Sequence, residues 1–275
     1  PAGITQEDRA VSFDMGFYLI DHRLITLVMI GLLVVAGEIG FRRGFRMRDS
    51  QDSFRSLMSG TGAAMLGLLG LLLGFTLSMA ISRWDARRDV IVSEANAIGT
   101  LWLRAGLLEE PLGGDLRDAL RSYTDARVAL GGSRGDRAAL RAARSESESL
   151  QDSIWSLVER ANQPGQSPAI MSSLIASANE VIDIHELRLT SIDNYLPAPL
   201  LLLLLGVAAV ATGFLAWAFG AADQGGRKAF ALLALLIGAI LLLIMDVIRP
   251  QRGRNVVGVE SLERVAATMD SPTSP

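Results

Sequence analysis

Apolar residues along this chain fall into four long runs separated by polar stretches of very unequal length. The first, residues 24–41, leads into an arginine-rich connector, and the second, residues 60–82 (GTGAAMLGLLGLLLGFTLSMAIS), carries no charge before Arg83. At 1.5 Å per residue an uncharged run of that length covers roughly 33 Å as a helix, enough to cross the core of a bilayer. Beyond Ile81 the apolar positions thin to a helical stripe: Val90, Ile91, Ala95, Ile98, Leu101, Trp102 and Ala105. Neither a proline nor a pair of glycines interrupts the pattern before Pro111, Gly113 and Gly114. A single helix on the order of 70 Å long is therefore expected to join a membrane part to a soluble part.

The soluble stretch that follows is helical in pattern throughout. Asp115 is placed to cap a helix running through Leu130, with Leu116, Leu120, Tyr123 and Val128 on its apolar side. A further helix is expected from Arg137 to Ala161, and another carries Ile170, Leu174, Ala178, Val181, Ile182, His185 and Leu189 at spacings of three and four. Nothing alternates with the two-residue period of a strand. Pro197 and Pro199 introduce the third apolar run, residues 200–219, and the fourth, residues 229–248, ends at Asp246, Arg249 and Pro250. The expected fold is an all-α integral membrane protein with four transmembrane helices. A polar segment 1–23 precedes a transmembrane hairpin 24–82 (spans 24–41 and 60–82). A helical soluble domain 83–196 is inserted between spans two and three. A second hairpin 197–249 and a tail 250–275 complete the chain.

An even number of spans puts both termini and the inserted domain on one side of the membrane, here the bacterial inner membrane. Arg42, Arg43, Arg46, Arg48 and Arg55 crowd the first short connector, where positive charge best marks the cytoplasm, so the helical domain is expected to be extracytoplasmic. Arg83, Arg87 and Arg88 after span two pull the other way. Composition adds little beyond exclusions. Half the residues are hydrophobic, the mean hydropathy is +0.34 and the formal net charge is −3, which gives no footing for a nucleic-acid partner. The absence of cysteine removes disulfides and thiolate chemistry.

No catalytic constellation stands out, so the chain is not expected to be an enzyme, and no cofactor or metal site is expected. HELRL at His185 has Leu189 where a second zinc ligand would stand, so His185 reads as a packed, hydrogen-bonded core histidine. Glu38, four residues before Arg42, reads as half of an ion pair at the membrane edge. The informative pattern lies in span two. Gly67, Gly70, Gly74, Ser78 and Ser82 recur at helical spacing on one face, with Phe75 beside them. Such a face either packs closely on another helix or lines a water-filled path in an oligomer. Arg83, Asp85, Arg88, Asp246 and Arg249 gather, by span parity, where that path would open. Asp246, three residues before Arg249, also reads as half of a membrane-edge ion pair.

Two stretches, SRWDARRDVIVSEANAIGTLWLRAGLL and DVIRPQRG, give the chain a family likeness. It resembles the bestrophin-like domain family of bacterial membrane proteins over roughly Gly60 to Glu263. The resemblance implies kinship to the bestrophins, pentameric anion channels whose second span lines the pore. It would make the Gly67–Ser82 face pore-lining and Phe75 a constriction. It also implies a cytoplasmic helical domain, against the reading of the connector charges, and an acidic calcium clasp is not recognisable here. The function expected is an oligomeric channel whose partners are the bilayer, further copies of itself and small inorganic ions. The alternative is a membrane-anchored sensor or scaffold that transmits through the long helix 60–108.

Topology is directly testable, because the chain is free of cysteine. In intact cells, Ser133→Cys is expected to react with a membrane-impermeant thiol reagent. Protection until lysis would place the helical domain in the cytoplasm.

Overall fold

Helical periodicity is realised in each of the apolar runs among the described residues. The computed structural model describes residues 22–47, 52–132, 136–163, 166–193, 198–222, 226–248 and 257–271. Among the described residues there are eight helices and no strand: α1 (His22–Arg46), α2 (Asp52–Ala105), α3 (Leu112–Gly132), α4 (Arg137–Ala161), α5 (Pro168–Asp193), α6 (Ala198–Ala221), α7 (Gly226–Ile248) and α8 (Glu260–Asp270). Three of them are long and apolar enough to cross a membrane, over Ser56–Ala105, Pro199–Ala221 and Arg227–Ile248. Helix α1 covers the run expected to form the first span. The chain divides into two units, Pro1–Ser82 with Tyr195–Arg249, and Arg83–Asn194 with Pro250–Pro275.

In the first unit α1 packs chiefly along α6, and both also meet α7. Ile25, Met29 and Leu33 share a core with Leu69, Leu73 and Ala80 of α2, and with Leu204, Ala208, Ile237, Leu241 and Ile244. Lipid tails are as apolar as leucine, so helices in a bilayer gain from close backbone approach rather than from burial alone. The α1–α6 seam shows this. A methyl group added at Gly40, Gly44 or Gly220 would overlap the backbone oxygen of Gly213, Trp217 or Phe41 respectively. At the end of α1, Glu38 Oε1 accepts from Arg42 Nε at 2.7 Å, the pair expected from sequence, and also from Arg227 Nη2 at 3.2 Å. The Arg227 guanidinium lies over the Phe41 ring, 5.0 Å from its centroid.

The second unit is built around Ile98, Leu101 and Ala105 of α2, Leu116, Leu120 and Tyr123 of α3, Ile154 and Val158 of α4, and Leu174, Ala178 and Val181 of α5. Helix α4 starts where the sequence places it, because Asp136 Oδ1 accepts from Ala138 N at 2.8 Å and Ala139 N at 3.3 Å. Helix α3 starts earlier than expected, with Asp115 inside its first turn rather than at its cap. The expected break at Gly113 and Gly114 is itself helical. Glu110 Oε2 takes the Gly114 N–H at 3.1 Å, and a Cβ at Gly113 would stand 3.0 Å from the carbonyl oxygens of Ala105 and Leu108. The glycines serve the tight approach of α3 to the end of α2. Helix α8 was not foreseen in the tail. Its Leu262 is fully buried, and the Met269 sulfur lies 3.7 Å from Thr124 Oγ1 of α3.

The α1–α6 seam should tolerate no side chain. Gly40→Ala is expected to cost about 1–3 kcal/mol, because its neighbour is backbone that cannot move aside. Gly31→Ala, where an added methyl meets nothing within 4 Å, should be neutral or slightly stabilising. Thermal unfolding of both variants in detergent checks the pair.

Candidate functional site

Two places carry chemistry: the outer face of α2 in the first unit and a buried charge cluster in the second. Leu69, Leu73, Thr76 and Ala80 form the buried side of α2 in the membrane unit. Gly67, Gly70, Gly74, Phe75, Ser78 and Ser82 are all exposed, Phe75 at 65%. A Cβ placed on Gly67, Gly70 or Gly74 would meet nothing within 4 Å, unlike those of the α1–α6 seam. Among the described residues no helix packs closely on these glycines. They present an open face that also carries Leu68, Leu71 and Met79.

The charges expected at the mouth separate by environment. Asp85 and Arg88 are exposed on α2, Arg83 and Asp246 are half-buried, and Arg249 lies outside the described residues. Arg87 turns inward. It is 5% exposed, and its Nε donates to the Ser191 carbonyl at 3.2 Å, near the C-terminal end of α5.

The buried cluster centres on Glu94, the glutamate of the EANA stretch, which the helical stripe alone did not single out. Glu94 Oε1 accepts from Arg127 Nε of α3 and Oε2 from Arg188 Nη1 of α5, both at 2.5 Å. Arg188 Nη2 reaches the Arg127 carbonyl at 3.3 Å. Glu94 and Arg127 are fully buried and Arg188 nearly so. Burial pushes the Arg188 guanidinium below its ordinary range, and the adjacent Glu94 carboxylate opposes that shift. The Arg127 guanidinium lies over the Tyr123 ring, 5.8 Å from its centroid. Gln151 Nε2 sits 3.4 Å from the Tyr123 hydroxyl, which lies 3.3 Å from His185 Nδ1. The Gln151 amide donates to the phenol oxygen, and the phenol pairs with Nδ1 of the imidazole. Burial raises the Tyr123 phenol well above its usual range, and so keeps it neutral. Burial first, and the Arg127 charge second, lower His185 to about 4. His185 is thus the packed, hydrogen-bonded histidine that the sequence suggested. Arg127 Nη1, Arg127 Nη2 and His185 Nε2 are buried with no hydrogen-bond partner. Such a group costs about 1–3 kcal/mol when left unsatisfied.

Comparison with known proteins follows the fold. The Bestrophin-like domain family matches residues 30–262. A solved membrane protein carrying a proline-to-alanine substitution superposes with a TM-score of 0.62 at 14% identity, over 90% of this chain and 99% of that one. A bacterial bestrophin homologue from Klebsiella pneumoniae with a tyrosine-to-alanine substitution gives a TM-score of 0.62 at 15% identity, over 88% and 98%. At such identities the likeness concerns the fold. No curated protein matches.

The His185 environment has a pH signature. Its folded-state value, about 4, lies below the ordinary 6.5, so the unfolded chain binds the extra proton in that window. Stability is full above pH 6.5 and falls as pH drops toward 4, by up to about 3 kcal/mol from this group. Denaturant unfolding of the chain in detergent, followed by Trp155 fluorescence, should show that slope, and His185→Gln should flatten it.

Proposed function

The chain belongs to the bestrophin-like family, and from that premise we propose that it assembles as a homo-oligomeric channel conducting small inorganic ions along an axis lined by the second span. In this reading α1, α2, α6 and α7 cross the bacterial inner membrane, and residues 83–196 form a helical domain inserted between spans two and three. The resemblance to bestrophins suggests five copies. The observation that carries the proposal is the open face of α2. Among the described residues no helix packs on Gly67, Gly70 or Gly74, Ser78 and Ser82 are exposed along the same stripe, and glycine and hydroxyl positions suit a wet wall better than a lipid one. Phe75, 65% exposed on the same side, is the proposed constriction, where an apolar ring closes the path by dewetting.

On that face of α2 the carboxylates lie nearest the small-residue stripe. At about 100° per residue, Asp85 and Asp89 fall within about 20° of Ser78, whereas Arg83 and Arg87 fall about 140–180° away. Arg87 is also committed to the Ser191 carbonyl. Arg88, the third exposed charge of that stretch, falls about 80° from Ser78.

A second reading, a membrane-anchored sensor or scaffold, draws on Leu103, Leu107 and Leu187, which are 72%, 58% and 58% exposed in the helical unit. Such apolar positions suit a partner surface. Planar-bilayer recording of the purified protein separates the two. Conductance that falls at least tenfold in Ser78→Trp, and rises in Phe75→Ala, is expected of the channel. Silence across voltage, pH and calcium would leave the scaffold, and current indifferent to Ser78→Trp would remove span two from the pore wall.

A further inference from the structure

We propose that the interior of the helical unit holds a small monovalent anion, of halide size, against the Nη atoms of Arg127. The argument is one of charge and of hydrogen-bond sign. Glu94 contributes one negative charge and Arg127 and Arg188 two positive ones, a net of +1 among groups that are at least nine-tenths buried. The neighbours Tyr123, His185 and Gln151 are neutral, so they do not balance it. Both oxygens of Glu94 are already engaged, Oε1 by Arg127 and Oε2 by Arg188.

The atoms of this cluster that have no partner are Arg127 Nη1, Arg127 Nη2 and His185 Nε2, and both Nη groups of Arg127 carry hydrogens to give. Donors cannot satisfy one another. What fits against them is an acceptor, and the unbalanced charge selects a negative one over water. Tyr123 covers one face of the guanidinium, which leaves its edge, where both Nη groups point, as the place for the ion. Arg127 is fully buried within a single chain, so a carboxylate from a neighbouring copy does not reach it. The site lies in the core of the second unit and does not depend on conduction.

Bromide serves as the probe. In crystals of the full chain grown in sodium bromide, an anomalous peak is expected roughly 3.3 Å from the Arg127 Nη atoms. Only a water there, or no density, overturns the proposal. In detergent at constant ionic strength, replacing 300 mM gluconate by bromide or chloride should raise the unfolding temperature by on the order of 4 °C. Arg127→Met, which leaves Glu94 and Arg188 as a balanced pair, should abolish that shift, while the exposed Arg144→Met retains it. An equal shift in Arg127→Met assigns the halide effect elsewhere and overturns the site. Should that variant not fold, the bromide diffraction decides on the wild-type chain.

Discussion

A fully buried carboxylate between two guanidiniums is the constraint from which the helical unit takes its register. Glu94 sits on α2, Arg127 on α3 and Arg188 on α5, so one side chain fixes the relative translation of three helices. Apolar contacts such as Leu101 with Leu120 or Leu174 tolerate a slide of an ångström or so by changing rotamer. Charge-assisted bonds of 2.5 Å do not. A buried ion pair is poor evidence of net stability, because desolvation offsets much of the attraction. Its contribution here is to penalise every alternative packing in which Glu94, Arg127 or Arg188 would be buried without its partner. The neighbouring Gln151, Tyr123 and His185 extend the arrangement to α4.

The membrane unit is specified by different means. Along the α1–α6 seam its helices are held by backbone approach at Gly40, Gly44, Gly213 and Gly220. The same residue type has the opposite meaning on α2. There Gly67, Gly70 and Gly74 face open space, and their lack of a side chain keeps a surface low rather than bringing two backbones together. The two uses are chemically identical in the chain and differ only in what stands opposite.

That ambiguity explains what could be read in advance. Helix positions followed from the 3.6-residue recurrence of apolar residues, and α4 begins at Arg137 as expected, where Asp136 supplies a local cap. Where the cap came from a longer side chain four residues upstream, as Glu110 does for Gly114, the start of α3 was misjudged. The small-residue face of α2 was visible, but Gly37, Gly40 and Gly44 at similar spacings in the first run drew no attention, since spacing does not say which stripe meets a partner. Glu94 was written inside the EANA stretch that carries the family likeness. No periodicity marks it as the hub, because Arg127 and Arg188 are 33 and 94 residues away. The short α8, with Leu262, Val265 and Met269 at spacings of three and four, showed a legible stripe that was passed over behind the proline at position 250.

Helix α8 makes completion of the helical core depend on a segment distant in sequence from the rest of that core. Leu262 and Met269 belong to the same core as Ile98, Leu120 and Leu174, yet they are translated after both later apolar helices. Until α8 has been made, the face of α3 around Thr124 and Arg121 waits uncovered, and the Arg121–Asp270 ion pair has no second member. A chain shortened before α8 is thereby distinguishable from one that carries it by the apolar patch that Leu262 and Met269 cover.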